Sequence, residues 1–298
     1  MAAGPDGVLL VDKPAGITST RALAMAKRAL ASPKAGHTGT LDPFATGLLP
    51  LVFGEATKFA RFLIESDKTY LATLQLGATS STGDPEGEIF PGTPVNSSIE
   101  EIKALSRELI GISMQIPPMH SAIRVEGQRL YDLARQGIEV TREPRVIRID
   151  FLEILQFSGE KLVISVKCSK GTYVRTLAET MGERLGCGAY LTGLRRTAAA
   201  GFVVDESATP EALSAMGTQV ARSRLLPVEI LVASLPRVDL LEGEAWAIRN
   251  GQELPADPRW PVGEQSIFGP SGQFIGVARV MAGGRLAAER LMATDAAG

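Results

Sequence analysis

The chain has 298 residues, more than one typical domain, so a large domain with a smaller companion is expected. Its 45% apolar share supplies a sizeable core, and no apolar run approaches the roughly 18 residues of a membrane-crossing helix. Lys and Arg total 31 against 33 Asp and Glu, and this net charge of −2 argues against a uniformly basic nucleic-acid binder without excluding a basic groove.

Residues 1–7 lack the basic-then-apolar pattern of a secretory leader. Residues 7–11 predict a short strand entering a turn at Pro14–Gly16, and Ser19 is placed to cap a helix from Thr20 to about Ala31, stopped by Pro33. Residues 36–54 hold Gly36, Gly39, Gly47, Gly54, Pro43 and Pro50, and irregular structure is expected throughout. A helix over 55–64 leads into residues 70–76, whose period-two alternation predicts a half-buried strand. Ser98 and Glu101 form a capping box before Ile99, Ile102, Leu105 and Leu109, with Gly111 closing that helix. Residues 115–148 carry six arginines and no lysine, and read as a mobile clamp or a solvated helix and loop. Residues 146–157 and 162–168 predict a hairpin turning at Ser158-Gly159, followed by a helix with Val174, Leu177, Ala178, Met181 and Leu185 on one face. Strands and helices mix without regular βαβ alternation, so the fold class is α+β with a largely antiparallel sheet. Residues 207–236 are expected to connect this body to a small β-rich domain with turns at Asn250-Gly251 and Gly283-Gly284.

Two cysteines, Cys168 and Cys187, make no disulfide framework and fit a reducing cytoplasm. With two histidines, His37 and His120, and no close cysteine pair, there is no zinc pattern. No Gly-Lys-Ser/Thr follows the glycine-rich stretch, so it is no phosphate-binding P-loop, and no G-x-S-x-G nucleophile motif occurs. What remains is metal-free, cofactor-free chemistry centred on a carboxylate. In residues 36–50 the ionisable side chains are His37 and Asp42, set among Leu41, Phe44, Leu48 and Leu49. A carboxylate there must be paired or hydrogen-bonded to stay charged, and an Asp-Pro turn is the plainer alternative. Lys170, Tyr173 and Arg175 sit at a strand-to-helix junction that could line a pocket, where Arg175 could pair with a carboxylate. Tyr70, at the mouth of its strand, has the same two readings.

Six stretches occur in the order VDKPAGITS (11–19), GHTGTLDPFATGLLPLVFGEATK (36–58), DKTY (67–70), QIPPMHSAIRVEGQRLYDLARQGIEV (115–140), CSKGTYVRTLAE (168–179) and LRR (194–196). Together they resemble the TruB family of tRNA pseudouridine-55 synthases, strongly over about 7–200 and weakly beyond. The resemblance implies a pseudouridine-synthase fold over 1–235, an RNA-binding insertion at about 115–142, and a small PUA-like domain over 236–298. It implies Asp42 as the catalytic aspartate, Arg175 as its arginine partner and Tyr70 as the ring that stacks on the target base. It further implies that His37 helps to flip the nucleotide out, that Tyr173 and Leu194 contact substrate, and that Lys13 with Pro14 supports the catalytic loop and belongs to the substrate site. Arg124 and Arg129 of the insertion are expected on the RNA. His120 stands in MHSA where relatives often carry tyrosine. The implied partner is the T stem-loop of tRNA, with no cofactor, no metal, no membrane and no protein partner, acting as a cytoplasmic monomer.

Such a reaction breaks the N1–C1′ bond of uridine, rotates the base, and joins C5 to C1′ without redox change. Asp42 could attack C1′ as in glycosidases, remove a sugar proton to give a glycal, or attack the base. The sequence leaves these routes open. Rival readings are the same chemistry on another RNA, a tRNA-folding chaperone, and a hydrolase using Asp42.

Overall fold

The computed structural model describes residues 4–293 except 122, 123 and 126, and not the side chains of 124, 125, 129, 132 and 135. Strand β1 (Gly7–Lys13) opens the chain, and helix α1 (Ser19–Ala29) follows. The cap of α1 is Thr18, whose hydroxyl accepts from Arg21 N, and not Ser19 as expected. The buried Ser19 hydroxyl is used elsewhere, donating to Leu41 O and accepting from Leu41 N.

The stretch 36–54 is irregular only in its middle. Strands β2 (Ala35–His37) and β3 (Thr46–Phe53) frame a loop over 38–45. Leu48, Leu49, Leu51, Val52 and Phe53 of β3 are all buried, each contributing about 1.5–3 kcal/mol, whereas strand propensity spans only about 1 kcal/mol. Burial on both faces therefore outweighs the glycine and proline content. Pro50 is tolerated because it falls between two partners on one edge of β3, after Gly47 and before Leu51; Thr38 donates to its carbonyl, and no donor is required of it there.

A 3₁₀ turn over Gly54–Phe59 and helix α2 (Arg61–Ile64) replace the single helix expected over 55–64. Strand β4 (Lys68–Leu76) buries Ala72, Leu74 and Leu76 on one face, as its alternation predicts. A small ribbon pairs β5 (Ala78–Ser80) with β6 (Ile89–Pro91). Helix α3 (Ile99–Glu108) carries the complete Ser98–Glu101 capping box, and Gly111 (φ 118°) opens strand β7 (Gly111–Gln115). The insertion holds a hairpin of β8 (Arg124–Val125) and β9 (Gln128–Arg129), then helix α4 (Leu130–Arg135), where Leu130 and Leu133 are buried. Strands β10 (Arg145–Ser158) and β11 (Lys161–Cys168) form the predicted hairpin. Helix α5 (Val174–Arg184) and strands β12 (Ala189–Ala199) and β13 (Phe202–Val203) follow.

The main sheet has nine strands in the order β1-β3-β12-β4-β11-β10-β7, with β2 on β3 and β13 on β12. Among the described residues of this sheet only β3 and β12 pair in parallel, so it is mixed and mostly antiparallel. Leu177, Ala178 and Met181 of α5 pack on Leu74, Leu76 and Leu191, while Ala22 and Ala26 of α1 pack on Leu9, Leu49 and Leu51.

Residues 207–236 are not a loose connection. They form α6 (Pro210–Ala215), α7 (Thr218–Arg222) and a 3₁₀ turn over Val228–Val232. Leu213, Leu231 and Val232 are buried, and the segment bonds back to β1 through Val8 N–Leu226 O and Asp12 N–Ala208 O. Beyond it, β14 (Arg237–Asp239), α8 (Glu242–Arg249), β15 (Leu254–Pro255), β16 (Gly263–Phe268), β17 (Phe274–Val280) and β18 (Arg285–Leu291) build a five-stranded sheet. Asn250-Gly251 is the end of α8 and not a strand turn. Phe274 meets Phe59 edge-on at 5.3 Å, and Val277 joins the core of Val8, Leu48 and Leu231, which seats the small sheet on the large one.

Candidate active site

Loop 38–45 is short of regular structure and rich in tethers. Thr38 Oγ1 donates to Pro50 O at 3.0 Å, Ser19 holds Leu41, and Gly16 N donates to Pro43 O at 2.8 Å. Lys13 Nζ donates to Pro14 O at 2.9 Å, Ile17 O at 2.7 Å and Pro43 O at 3.2 Å. Lys13 is fully buried, bound by three carbonyls and outside the cavity lining, a placement that suits support of the loop more than contact with substrate. Burial holds its ammonium down at about 8.

The loop presents Asp42 to a cavity of about 500 Å³, lined also by Tyr70, Tyr173, Arg175, Leu194 and Arg196. Leu194 and Arg196 on β12 stand opposite Ala72 and Tyr70 on β4, and Tyr173 and Arg175 come from the start of α5. The loop, sheet pairing and a helix terminus thus bring together five of the expected residues from four separate parts of the chain. His37 is not in the lining; it lies half-buried on β2, one residue before the lining residue Thr38. Burial, with Arg196 adding to it, lowers the His37 pKa, so the ring is neutral at physiological pH. Arg124 and Arg129 pair across the β8–β9 hairpin, and their side chains lie outside the described ones.

Arg175 is the hub of the cavity floor. Its Nε lies 3.1 Å from Asp42 Oδ2, and Nη1 lies 3.4 Å from Asp84 Oδ2. Nη1 also donates to Thr82 O at 3.0 Å and Nη2 to His120 O at 2.6 Å. Asp84 is buried too, accepting from Thr82 Oγ1 at 2.6 Å and Glu86 N at 3.0 Å. Burial pushes the Asp42 carboxyl above the usual aspartate value, opposed by Arg175 and Lys13 and reinforced by Asp84. Arg175 therefore offsets only part of the desolvation. The insertion is coupled to the same floor: Gln115 Oε1 accepts from Tyr173 N at 2.8 Å, and Gln115 Nε2 donates to Tyr173 O at 3.1 Å.

Asp84, Arg196 and Gln115 were not singled out by residue chemistry. Asp84 lies in STGDPEGE, which reads as a turn, and Arg196 and Gln115 fall inside family-like stretches without a role attached. Among the described residues, no group of three or more His, Cys, Asp and Glu side chains could hold a metal ion.

A protein named tRNA pseudouridine synthase B from Thiobacillus denitrificans is 48% identical over 291 residues, covering 97% of this chain and 96% of that protein. The chain belongs to the TruB family of pseudouridylate synthases. It is therefore an isomerase with a pseudouridine-synthase fold. The family model for the TruB N-terminal domain matches residues 27–174, that for the tRNA pseudouridylate synthase B C-terminal domain 175–233, and that for the pseudouridine synthase II TruB C-terminal region 236–292. A tRNA pseudouridine synthase B from Neisseria gonorrhoeae is 45% identical over 298 residues, covering 98% of this chain and 96% of that one. Among solved structures, an H/ACA ribonucleoprotein bound to a substrate RNA containing 2′-deoxyuridine superposes at a TM-score of 0.73 with 24% identity, covering 97% of this chain and 86% of that one. A Cbf5-Nop10-Gar1 complex superposes at 0.71 with 24% identity, covering 96% and 84%. Both bear on the TruB fold alone.

Proposed function

We propose that this TruB-family enzyme isomerises the uridine at position 55 in the T loop of tRNA, with Asp42 as the catalytic carboxylate. The observation that carries the reading is the Asp42 carboxylate, one-third exposed at the cavity while its partner Arg175 is 4% exposed beneath it. A stacked loop base has to be extruded before chemistry. Tyr70 offers it a stacking face worth about 1–3 kcal/mol. Leu194 and Tyr173 enclose the detached uracil by contact, which excludes water yet leaves the ring free to turn. His37, neutral and just outside the lining, suits a contact during extrusion more than bond-making.

The chemistry needs no external reagent. The N1–C1′ bond breaks, the base rotates, C5 bonds to C1′, the C5 proton leaves and N1 ends protonated. Asp42 can serve as nucleophile at C1′, as base toward a sugar proton, or as nucleophile toward the base. The arrangement favours no one of these routes. The unit over 1–235 is assigned to catalysis, with the insertion at 115–142 gripping RNA through Arg124 and Arg129. The PUA-like unit over 236–298 holds RNA away from the chemistry.

The test is incubation with unmodified elongator tRNA transcript followed by chemical mapping of pseudouridine, with single-turnover kinetics at saturating enzyme. Product at position 55 from the parental enzyme and none from Asp42→Asn is the expected result. Substantial turnover by Asp42→Asn would refute the catalytic assignment, and product elsewhere would move the target.

A further inference from the structure

Among the described residues Arg196 is the largest fully buried side chain, at 1% exposure. Among the described residues no carboxylate lies within ion-pair distance of its guanidinium. Nη2 instead donates to Thr40 O at 3.0 Å and Nη1 to Gly39 O at 3.5 Å, both on the loop just before Asp42. Its Nε proton finds no hydrogen-bond partner among the described residues. The guanidinium carbon sits 5.7 Å from the centre of the Tyr70 ring. The Arg196 backbone pairs with Tyr70 on one side and with Gly47 on the other. At Gly47 (φ 103°) any Cβ would collide with the Arg196 backbone, so strand and loop are locked in close approach.

A buried cation without an anion carries a desolvation cost that hydrogen bonds to two neutral carbonyls offset only in part. Stability therefore does not account for Arg196. Its contacts do suggest a reason, since they join two groups that must face the same base: the loop that carries the carboxylate and the ring that stacks. We infer that Arg196 is a positioning residue for the isomerisation, setting the Asp42 loop against Tyr70 without touching substrate. The inference rests on the reading of Asp42 as the catalytic group.

The experiment compares Arg196→Met and Arg196→Lys with the parental enzyme in single-turnover pseudouridine formation, filter binding of tRNA transcript and thermal melting, each in the Tyr70 and Tyr70→Leu backgrounds. Arg196→Met is expected to stay folded and bind tRNA within about threefold, while its rate falls about 100-fold. Arg196→Lys, which keeps the charge and can reach one carbonyl, is expected to recover part of that loss and is the informative variant if the methionine protein does not fold. In the Tyr70→Leu background the loss should shrink below about tenfold, because the ring being positioned is gone. A rate within threefold of parental for both variants overturns the proposal. So does an affinity loss that matches the rate loss, which would make Arg196 an RNA contact, and so do equal losses in the two backgrounds. Turnover by Asp42→Asn, measured alongside, would refute the Asp42 reading itself and is read separately from the Arg196 rates.

Discussion

Arg175 Nε lies 3.1 Å from Asp42 Oδ2 and Nη1 lies 3.4 Å from Asp84 Oδ2, so one buried guanidinium bridges two carboxylates. The fork is pinned further by the carbonyls of Thr82 and His120. Asp42 is thus aimed by a group that cannot itself swing, and the aim is transmitted from the Asp84 turn and the base of the insertion.

Arg175→Lys keeps the charge but loses the fork that reaches Asp42, Asp84 and two carbonyls together. The single-turnover rate should fall by at least about 100-fold, with tRNA affinity within about tenfold, a change of about 1.4 kcal/mol. Filter binding beside rapid-quench kinetics separates the two. An affinity loss as large as the rate loss would place Arg175 on the RNA instead.

The pH dependence follows from burial. Burial and Asp84 together raise the Asp42 pKa above its usual value. If the carboxylate is the active form, the rate rises with pH along an acid limb whose midpoint lies above the usual aspartate value of about 3.9. Removing the Asp84 charge should lower that midpoint, so Asp84→Asn is expected to move the limb to lower pH while reducing the plateau through a looser Arg175. A limb that stays in place in Asp84→Asn would show that another group titrates.

The same shift makes a statement about stability. A carboxyl whose folded pKa is raised favours the folded state most when protonated; that contribution is lost as pH rises through the folded value. Above its folded-state pKa the ionised Asp42 therefore costs stability, and there Asp42→Asn should melt higher than the parental protein. The gap should close as the pH falls below about 3.9, where both proteins are neutral at this position. Melting curves across pH check it, and an asparagine variant that melts lower at pH 7 would show that the ion pair with Arg175 outweighs desolvation.

Local signals were the legible part of the fold. The Ser98–Glu101 capping box, the alternation of β4 and the β10–β11 hairpin each depend on residues a few positions apart, and each was readable. Strand β3 was hidden because burial on both faces leaves no alternation, and Gly47 and Pro50 then dominate the local pattern. The segment 207–236 read as a linker because its buried residues, Leu213, Leu231 and Val232, are spread over short turns that pack against β1 and the 3₁₀ turn after β3. In the site, the family-like motifs brought out Asp42, Tyr70 and Arg175. Asp84 and Arg196 escaped because their contacts, to Arg175 and to the carbonyls of Gly39 and Thr40, join residues far apart in the chain. The three acceptors of Lys13 likewise lie on two separate loops, which the sequence does not bring together.

The net charge of −2 makes the salt dependence of tRNA binding informative. Contacts concentrated on one basic face should still release counterions, so affinity should fall steeply with salt. Neutralising Arg124 and Arg129 together should weaken binding and flatten the log–log slope by about one to two. Titrations at several salt concentrations read this directly. An unchanged slope would take the insertion's hairpin off the RNA.

Lys13 gives a prediction that separates loop support from substrate contact. Its ammonium lies beneath Pro43, one residue after Asp42, and satisfies three carbonyls, two of them in the turn after β1. Lys13→Met fills the space but leaves those carbonyls without a donor, at about 1–3 kcal/mol for each that water cannot reach. Loss of the desolvated charge offsets part of that cost, so a modest fall in melting temperature is expected. The larger effect should be on order in the loop. Backbone amides of residues 41–45 should exchange hydrogen faster, and the single-turnover rate should drop about tenfold or more with unchanged tRNA affinity. A variant that instead binds tRNA weakly with normal loop protection would return Lys13 to the substrate surface.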